Sequence, residues 1–204
     1  INLSNIITSR VRLMYSMFQD CKSLTILDLS SFDTNYVSEI YNIFSGCEKL
    51  EYVNFLKATF SSYLYSYSNM IANTAKNIVF CVTESKISKL NSQIDENSCA
   101  TRISDCSSDW RKYQKKIVPN SDTCVESCSS TSYPYEYLGQ CYSQCPNGLP
   151  YINYICYNCD SDCIECNLYD NSYCLSCKDS KKYLNNGKCV SSCSYGYYTD
   201  NSIQ

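Results

Sequence analysis

The side chains best able to do chemistry in this chain are its 17 cysteines, and they are unevenly distributed. Four lie within the first 99 residues, whereas thirteen lie between Cys106 and Cys193. Seventeen in 204 is about 8%, close to the level typical of a disulfide scaffold. Cysteine thiols can bond to one another, bind a metal or act as nucleophiles, so their spacing and their companions decide between these roles.

Three C-x-x-C pairs, beginning at Cys156, Cys163 and Cys174, have the spacing used by four-cysteine structural zinc sites. Disulfides are favoured instead, because the cysteines continue upstream from Cys124 to Cys145 without closing into sets of four. A dense cysteine array is also typical of an oxidising compartment, where thiols bond to one another. The spacing typical of ferredoxin clusters is missing. We therefore expect neither a metal nor another cofactor.

Catalysis is disfavoured by the composition. The sequence has no histidine, so the commonest general base and every Cys–His or Ser–His pair are excluded. Asp160, Asp162 and Glu165 form the densest acidic cluster, and solvated loop residues explain it better than a catalytic dyad. Seventeen basic and twenty acidic residues give a net charge of −3, which argues against nucleic acid as a partner. The expected protein is not an enzyme.

Two further features indicate an extracellular location. Asn2-Leu3-Ser4 is an acceptor triplet for N-glycosylation, which makes Asn2 a candidate glycan site. No stretch approaches 18 consecutive apolar residues, so no membrane span is expected within these residues. Together with the cysteine density, these features predict a secreted or cell-surface protein.

The first half contains an internal repeat. Residues 1–34 align with residues 27–60 at an offset of 26 and without a gap. The identical positions are Leu3, Ser4, Thr8, Val11, Tyr15, Phe18, Cys21 and Leu24, which recur as Leu29, Ser30, Thr34, Val37, Tyr41, Phe44, Cys47 and Leu50. A fixed period of this length is typical of stacked-repeat solenoids. Because Ile1 aligns within a unit, we expect the natural chain to extend upstream.

Each repeat predicts one strand and one short helix. Leu27 and Leu29 alternate with Asp28, as in a half-buried strand. Upstream, the apolar residues Val11, Met14, Met17 and Phe18 have helical spacing, and the second copy repeats it at Val37, Ile40, Ile43 and Phe44. Such a unit cannot bury its apolar face alone, so stacking should build a continuous core.

This pattern resembles the BspA-like leucine-rich repeat of microbial and protist surface proteins. The matching residues are Met17-Phe18, Cys21, Leu24, Leu27-Asp28-Leu29-Ser30, Phe32-Asp33-Thr34, Val37, Ile40 and Ile43-Phe44. The resemblance implies an α+β solenoid of parallel strands and short helices over residues 1–98. We interpret residues 61–98 as its C-terminal cap, pinned by a Cys81–Cys99 bond.

Cys21 and Cys47 occupy equivalent positions in adjacent units, close enough for a disulfide. Free cysteine also packs as a small buried hydrophobe, and we predict two buried thiols while the bonded alternative stays open. On the outward strand positions, Ile26, Asp28, Tyr52 and Asn54 form a candidate partner face, although solvated strand residues would look the same.

The cysteine-rich half, residues 99–204, resembles the furin-like repeats of growth-factor-receptor cysteine-rich regions. The resemblance runs from Cys156 through Cys189-Val190-Ser191-Ser192-Cys193 to Gly196-Tyr197-Tyr198, with Ser194 where that family has proline. It implies a loop-dominated, disulfide-rich rod. The implied bonds are Cys159–Cys166, Cys163–Cys174, Cys177–Cys189, Cys145–Cys156, Cys128–Cys141 and Cys106–Cys124. Cys193 is left over, which the resemblance explains by a partner in a following module.

Both resemblances imply a non-catalytic surface recognition or adhesion protein, of which these residues would be a fragment. Its partners would be other proteins or surface glycans. The alternative is a structural subunit of an extracellular coat, filament or ciliary fibre, in which copies of the chain stack through repeat–repeat contacts. A regular polymer would favour the second function, and a monomer that binds cells or glycans would favour the first.

Overall fold

The computed structural model describes residues 3–56, 64–82, 92–94, 97, 99–106, 109–146, 149–167, 169–178 and 183–193. The chain divides into two compact units, Ile1–Glu126 and Ser127–Gln204. The predicted boundary at residues 98 and 99 concerned where one repeat type gives way to the other, and it stays a prediction. The compact units themselves divide later, at residue 126.

The first unit contains a sheet of four short parallel strands. They are β1 (Ile26–Asp28), β2 (Tyr52–Asn54), β3 (Val79–Cys81) and β4 (Thr101–Ile103), paired in that order. Leu27 pairs with Val53, and Val53 pairs with Phe80. The register between β1 and β2 is therefore the 26-residue offset of the sequence repeat.

The segment upstream of each strand is a ladder of turns, so the predicted helices are wrong. Met14 N–H donates to the Glu39 carbonyl at 2.9 Å, and Phe18 N–H donates to the Ile43 carbonyl at 3.0 Å. The backbone donors thus bond to the next copy rather than along their own segment, as a helix requires. The apolar spacing looked helical because one turn follows another every three or four residues.

Left-handed residues recur in this ladder and interrupt the helical course of the backbone there. Positive φ angles occur at Ser16, Asn42 and Asn69, and again at Asp20, Gly46 and Asn73. Small polar residues and glycine tolerate this region best, and several of these six are Asn, Asp or Gly. A Cβ on Gly46 would clash with Asp20 Oδ1, so two adjacent copies approach closely here.

Apolar side chains from successive copies form the core of the first unit. Phe18 and Phe44 stack with their ring centroids 6.0 Å apart, and Phe44 also contacts Phe55 at 5.9 Å. The largest fully buried side chains are Phe44, Phe55, Phe80, Leu27, Leu29, Ile40, Leu50, Leu64, Met70, Ile78 and Val37. All of them lie between residues 27 and 80, where a copy has neighbours on both sides.

The stack continues into residues 61–98, which we interpreted as a degenerate C-terminal cap. Asn42 N–H donates to the Ser68 carbonyl and Phe44 N–H donates to the Met70 carbonyl, so residues 64–82 form a third copy. β4 then extends the sheet past residue 98. A 3₁₀ helix, Trp110–Tyr113, follows, and a small hairpin of β5 (Lys116–Ile117) and β6 (Cys124–Val125) ends the unit.

The second unit is built from tight hairpins. After a 3₁₀ helix at Cys128–Ser130 come β7 (Tyr135–Tyr137), β8 (Gln140–Tyr142), β9 (Tyr151–Ile152) and β10 (Ile155–Cys156). Both two-residue loops, Leu138-Gly139 and Asn153-Tyr154, have positive φ at each residue, which is the type I′ pattern favoured in hairpins. β10 also pairs in parallel with β7.

Two more hairpins complete this unit. β11 (Cys163–Asn167) pairs with β12 (Asp170–Cys177), and β13 (Tyr183–Asn185) pairs with β14 (Lys188–Val190). Cys174 N–H donates to the Gly187 carbonyl at 2.7 Å, which joins the two hairpins. The fold of the described residues is therefore disulfide-rich and strand-dominated, with a parallel four-stranded sheet and little helix.

Candidate recognition surface and disulfide framework

Seven disulfides form among the described residues, and five are the bonds implied by the furin-like resemblance. These five are Cys128–Cys141, Cys145–Cys156, Cys159–Cys166, Cys163–Cys174 and Cys177–Cys189. Every cysteine of the three C-x-x-C pairs is therefore bonded to another cysteine. None of these sulfurs is available as the thiolate that a zinc site needs.

The bonds made by Cys81, Cys99, Cys106 and Cys124 differ from our prediction. We predicted Cys81–Cys99 and Cys106–Cys124, but the structure pairs Cys81 with Cys106 and Cys99 with Cys124. The reason is the sheet register: Cys81 lies on β3, and Cys99 lies just before the adjacent β4, so the two are offset along neighbouring strands. Each instead bonds to a cysteine in the chain that follows β4.

The Cys81–Cys106 bond holds a covering element against the outward face of the sheet. Trp110 is buried there, with its ring stacked on Tyr52 at a centroid distance of 5.0 Å. The Arg111 guanidinium lies 4.3 Å from the Trp110 ring centre, in cation–π geometry, and pairs with Glu51. Residues around the 3₁₀ helix Trp110–Tyr113 therefore cover the outward face of β2 and β3.

This cover corrects the predicted partner face. Ile26 is 43% exposed and Asp28 is exposed, but Tyr52 is only 6% exposed and Asn54 is half-buried. Burial beneath Trp110, together with the charges of Asp28 and Asp105, raises the pKa of Tyr52. Only the β1 part of the predicted face is therefore accessible.

The polar residues of that face have a structural role. Asp28 Oδ1 accepts a hydrogen bond from Ser30 N–H at 2.8 Å, and Asn54 Oδ1 accepts one from Leu56 N–H at 3.0 Å. These are equivalent Asx turns, 26 residues apart, that close each strand. The polar residues of the predicted partner face thus shape the backbone where each strand ends.

The two predicted thiols differ in burial. Cys21 and Cys47 are both free, as predicted, but Cys47 is fully buried and Cys21 only partly so. Cys47 lies between the turns of the first and third copies, whereas Cys21 has a covering copy on one side only among the described residues. Burial raises the pKa of the Cys47 thiol, which donates to the Phe18 carbonyl at 2.9 Å.

Exposed and half-buried tyrosines that the sequence analysis missed lie on the ladder of turns. The rings of Tyr15 and Tyr41 stack in parallel at 4.9 Å, and Tyr65 is 69% exposed. The Tyr65 hydroxyl donates to Glu39 Oε1 at 2.5 Å, and this hydrogen bond raises the pKa of Tyr65. We call Tyr15, Tyr41, Tyr65 and Glu39 the tyrosine row; the 26-residue offset between Tyr15 and Tyr41 could have revealed it.

A second group of tyrosines lies on the hairpins of the second unit. Tyr135 meets the edges of Tyr151 and Tyr154 at centroid distances of 4.8 and 5.4 Å. A hydrogen bond with Tyr151 raises the pKa of Tyr135. Tyr151 and Tyr154 are also exposed, so each unit presents aromatic rings to solvent.

The other predicted sites are placed as follows. Asn2 lies outside the described residues, so its glycosylation stays a prediction. In the acidic cluster, Asp160 Oδ1 accepts a hydrogen bond from Asp162 N–H at 3.1 Å, which shapes a loop. Within the described part of the chain, no group of three or more potential ligands could hold a metal ion, and no helix is long and apolar enough to cross a membrane.

Comparison with known proteins gives partial matches. A sequence family described as "Mycoplasma protein of unknown function, DUF285" matches residues 1–79, which is less than half of the chain. Cysteine repeat modular protein 2 of Tetrahymena thermophila is 32% identical over 91 residues, which cover 36% of this chain and 5% of that protein. The mouse extracellular matrix organizing protein FRAS1 is 33% identical over 85 residues, covering 40% of this chain and 2% of that protein. No solved structure matches the chain.

These matches agree with the disulfide framework. The chain spans no more than about a twentieth of the length of the two curated relatives. Both similarities nevertheless support a cysteine-rich repeat part in this chain. With seven disulfides among the described residues, they indicate an extracellular or secreted protein.

Proposed function

We propose that this chain is a non-catalytic module for cell-surface recognition or adhesion. In this proposal, residues 1–98 are BspA-like leucine-rich repeats and residues 99–204 are furin-like repeats. The repeats would present the binding surface, and the disulfide-bonded part would act as a spacer. Its partners would be extracellular proteins or surface glycans.

The two parts are supported by different features. The parallel register of β1 and β2 agrees with a stacked 26-residue repeat, as the BspA-like resemblance implies. The five bonds of the second unit occur at the positions that the furin-like resemblance implies. The name of the mouse relative connects it with organising extracellular matrix, which favours a matrix or surface setting for this chain as well.

The observation that carries the recognition function is the tyrosine row. Tyrosine gives a rigid contact that is apolar over its ring and polar at its hydroxyl, and it is enriched in binding hot spots. Because the β2 part of the predicted face is covered by Trp110, the tyrosine row and β1 remain accessible on the repeat surface. We place the partner contact there, at Tyr15 and Tyr65.

An adhesion assay tests this function. Beads coated with the 204-residue chain are applied to surfaces coated with extracellular-matrix proteins, before and after enzymatic removal of glycans. Wild-type beads should adhere, and Tyr15→Ala with Tyr65→Ala should reduce adhesion about five-fold or more, as expected for hot-spot tyrosines. Tyr169→Ala, at an exposed tyrosine of the second unit, is the matched control and should have no effect.

The glycan arm identifies the class of partner. Adhesion lost on deglycosylation would assign it to a glycan, and adhesion retained would assign it to protein. Beads that adhere to neither surface, or that lose adhesion equally in the double variant and the control, would contradict the proposed function.

The second candidate is a structural subunit that assembles through repeat–repeat contacts. It is favoured by the packing of the copies, because apolar side chains of the first copy are exposed whereas their equivalents in the second copy are buried against a neighbour. Ile6 is 41% exposed and its equivalent Phe32 is 2% exposed; Met17 is 42% exposed and its equivalent Ile43 is 2% exposed. A further copy stacked on the first, from the same chain or from another molecule, would bury Ile6 and Met17.

Analytical ultracentrifugation distinguishes the two candidates. A structural subunit should form oligomers as the concentration rises, and Met17→Lys should disperse them without unfolding the chain, because Met17 is already exposed. A monomer at every concentration would contradict the structural function and leave the adhesion assay as the deciding test.

A further inference from the structure

Two free thiols lie side by side in the first unit, whereas fourteen of the other fifteen cysteines form disulfides. Cys21 and Cys47 occupy equivalent positions of the first and second copies. Immediately before Cys21, Asp20 N–H donates to the Ser45 carbonyl at 2.8 Å, so the two segments are adjacent in the ladder. Neighbouring ladder segments lie about 4.8 Å apart, within the Cα separation of about 4.4–6.8 Å that disulfides span.

The two thiols have different access to solvent. Cys21 is partly exposed, so a small reagent can reach it. Cys47 is fully buried, and its Sγ donates to the carbonyl of Phe18, a residue of the first copy only three positions before Cys21. The Cys47 thiol is therefore already directed toward the copy that carries Cys21.

We propose that Cys21 and Cys47 form a redox-active dithiol, in which Cys21 reacts first with a small disulfide and Cys47 then completes a bridge between the first two copies. The inference goes beyond the recognition or structural function, because it concerns neither the tyrosine row nor the exposed side chains of Ile6 and Met17. It assigns a modification site that closes covalently across the ladder.

The reaction balances with oxidised glutathione as the oxidant. The Cys21 thiolate attacks one sulfur of glutathione disulfide, the glutathione S–S bond breaks, and the departing thiolate takes up the proton that Cys21 lost. The Cys47 thiolate then attacks Cys21 Sγ, which releases the second glutathione with the proton from Cys47. Two electrons pass from the dithiol, and one glutathione disulfide becomes two glutathione thiols.

The second step should be the slower one. Only the thiolate attacks a disulfide, and burial together with the bond to the Phe18 carbonyl favours the protonated form of Cys47. Glutathione should therefore accumulate on Cys21 before the bridge forms. This order of events separates a dithiol from two independent thiols.

Mass spectrometry of the intact 204-residue chain during incubation with glutathione disulfide tests the proposal. Trypsin cuts after Lys22, which places Cys21 and Cys47 on separate peptides that only a bridge can join. The expected course is transient glutathione on the Cys21 peptide, followed by a bridged pair of peptides that has lost two hydrogen atoms. Cys193, a third free cysteine, provides an internal comparison that should retain its glutathione.

Two variants make the result decisive. In Cys47→Ala, glutathione should stay on Cys21 and no bridged peptide should form. Because Cys47 is buried and this change could unfold the stack, Cys21→Ser at the partly exposed position is the second variant, and it should leave Cys47 unmodified. Stable glutathione on Cys21 of the wild-type chain, or no reaction at Cys21 while Cys193 reacts, would overturn the proposal.

Discussion

The two units bury different kinds of side chain. In the first unit, the buried core consists mainly of Phe, Leu, Ile, Val and Met from successive copies. In the described part of the second unit, the buried apolar side chains apart from Pro150 are all cysteines, and each of these cysteines belongs to a disulfide. The comparison shows that a repeat can bury apolar area by stacking, whereas a short hairpin without such a neighbour needs covalent bonds.

The largest effect is expected when a central bridge of the second unit is removed. Cys163 and Cys174 bond to each other and are both buried in the cluster they form with Cys166. The double change Cys163→Ser and Cys174→Ser should cost about 2–5 kcal/mol. Because no aliphatic core remains to compensate, peptides of β11 and β12 should become sensitive to limited proteolysis.

Cys21→Ser is the control for this prediction, since Cys21 is a partly exposed free thiol in the first unit. It should leave the proteolysis pattern unchanged. Resistance of β11 and β12 in the double variant would mean that these hairpins do not depend on their bridges.

A large effect is also expected from a cavity in the first unit. Phe44 is fully buried between Phe18 and Phe55, so Phe44→Ala should reduce the free energy of unfolding by about 3–5 kcal/mol. Urea unfolding followed by circular dichroism measures it. Tyr15→Ala, at an exposed aromatic of the same ladder, should cost much less, and equal losses would contradict a core built from stacked copies.

A smaller effect is expected at the Cys81–Cys106 bond, where a disulfide is attached to the stacked sheet of the first unit. Cys81 lies on β3 and bonds to Cys106, next to the 3₁₀ helix that carries the chain's single tryptophan. Changing both cysteines to serine should cost about 2–4 kcal/mol and release the cover. Trp110 fluorescence should then shift to longer wavelength as the ring leaves Tyr52 for water.

The stack itself should survive that change, because its core does not include the bond. Far-UV circular dichroism should therefore stay close to that of the wild type. Unchanged Trp110 emission would show that packing on Tyr52, rather than the bridge, holds the cover in place.

The smallest effect is expected at the exposed ion pair between Lys22 and Glu48, 2.8 Å apart and 26 residues apart in sequence. The hydrogen bond and the charge of Lys22 hold the pKa of Glu48 below its usual value of 4.5. Because the folded-state pKa of Glu48 is lowered, the ion pair stabilises the fold above pH 4.5. This contribution is lost as the pH falls through the lowered pKa. Because both groups are exposed, the contribution is small.

Urea midpoints of wild type and Glu48→Gln measure it. The midpoints should differ slightly at pH 7 and converge as the pH falls below 4.5. A difference that persists after Glu48 is protonated would mean that the glutamine acts on something other than the ion pair.

The sequence predicted the features that depend on identity at a fixed spacing. The offset of 26 gave the register of Leu27 with Val53, and the furin-like resemblance gave five of the disulfides. The predicted helices were wrong because apolar residues three apart suit both a helix and a ladder of turns. In this chain, left-handed Ser16 and Asp20 turn the backbone donors toward the next copy.

The covered face could not be predicted from the repeat alone. Tyr52 occupies an outward strand position, as expected, and its burial depends on Trp110, which is 58 positions further along the chain. The pairing of Cys81 with Cys106 depends on the same long-range packing. Local spacing carries no information about such contacts, so the accessible surface had to be read from the fold.

Peptide-resolved hydrogen exchange of the oxidised and fully reduced chain tests most directly whether the two units are held by different means. Upon reduction, amides of β7–β14 should exchange as in an unfolded chain, whereas the ladder between the first and third copies, such as Phe18 N–H and Phe44 N–H, should stay protected. Loss of protection in both units together, or in neither, would contradict this account.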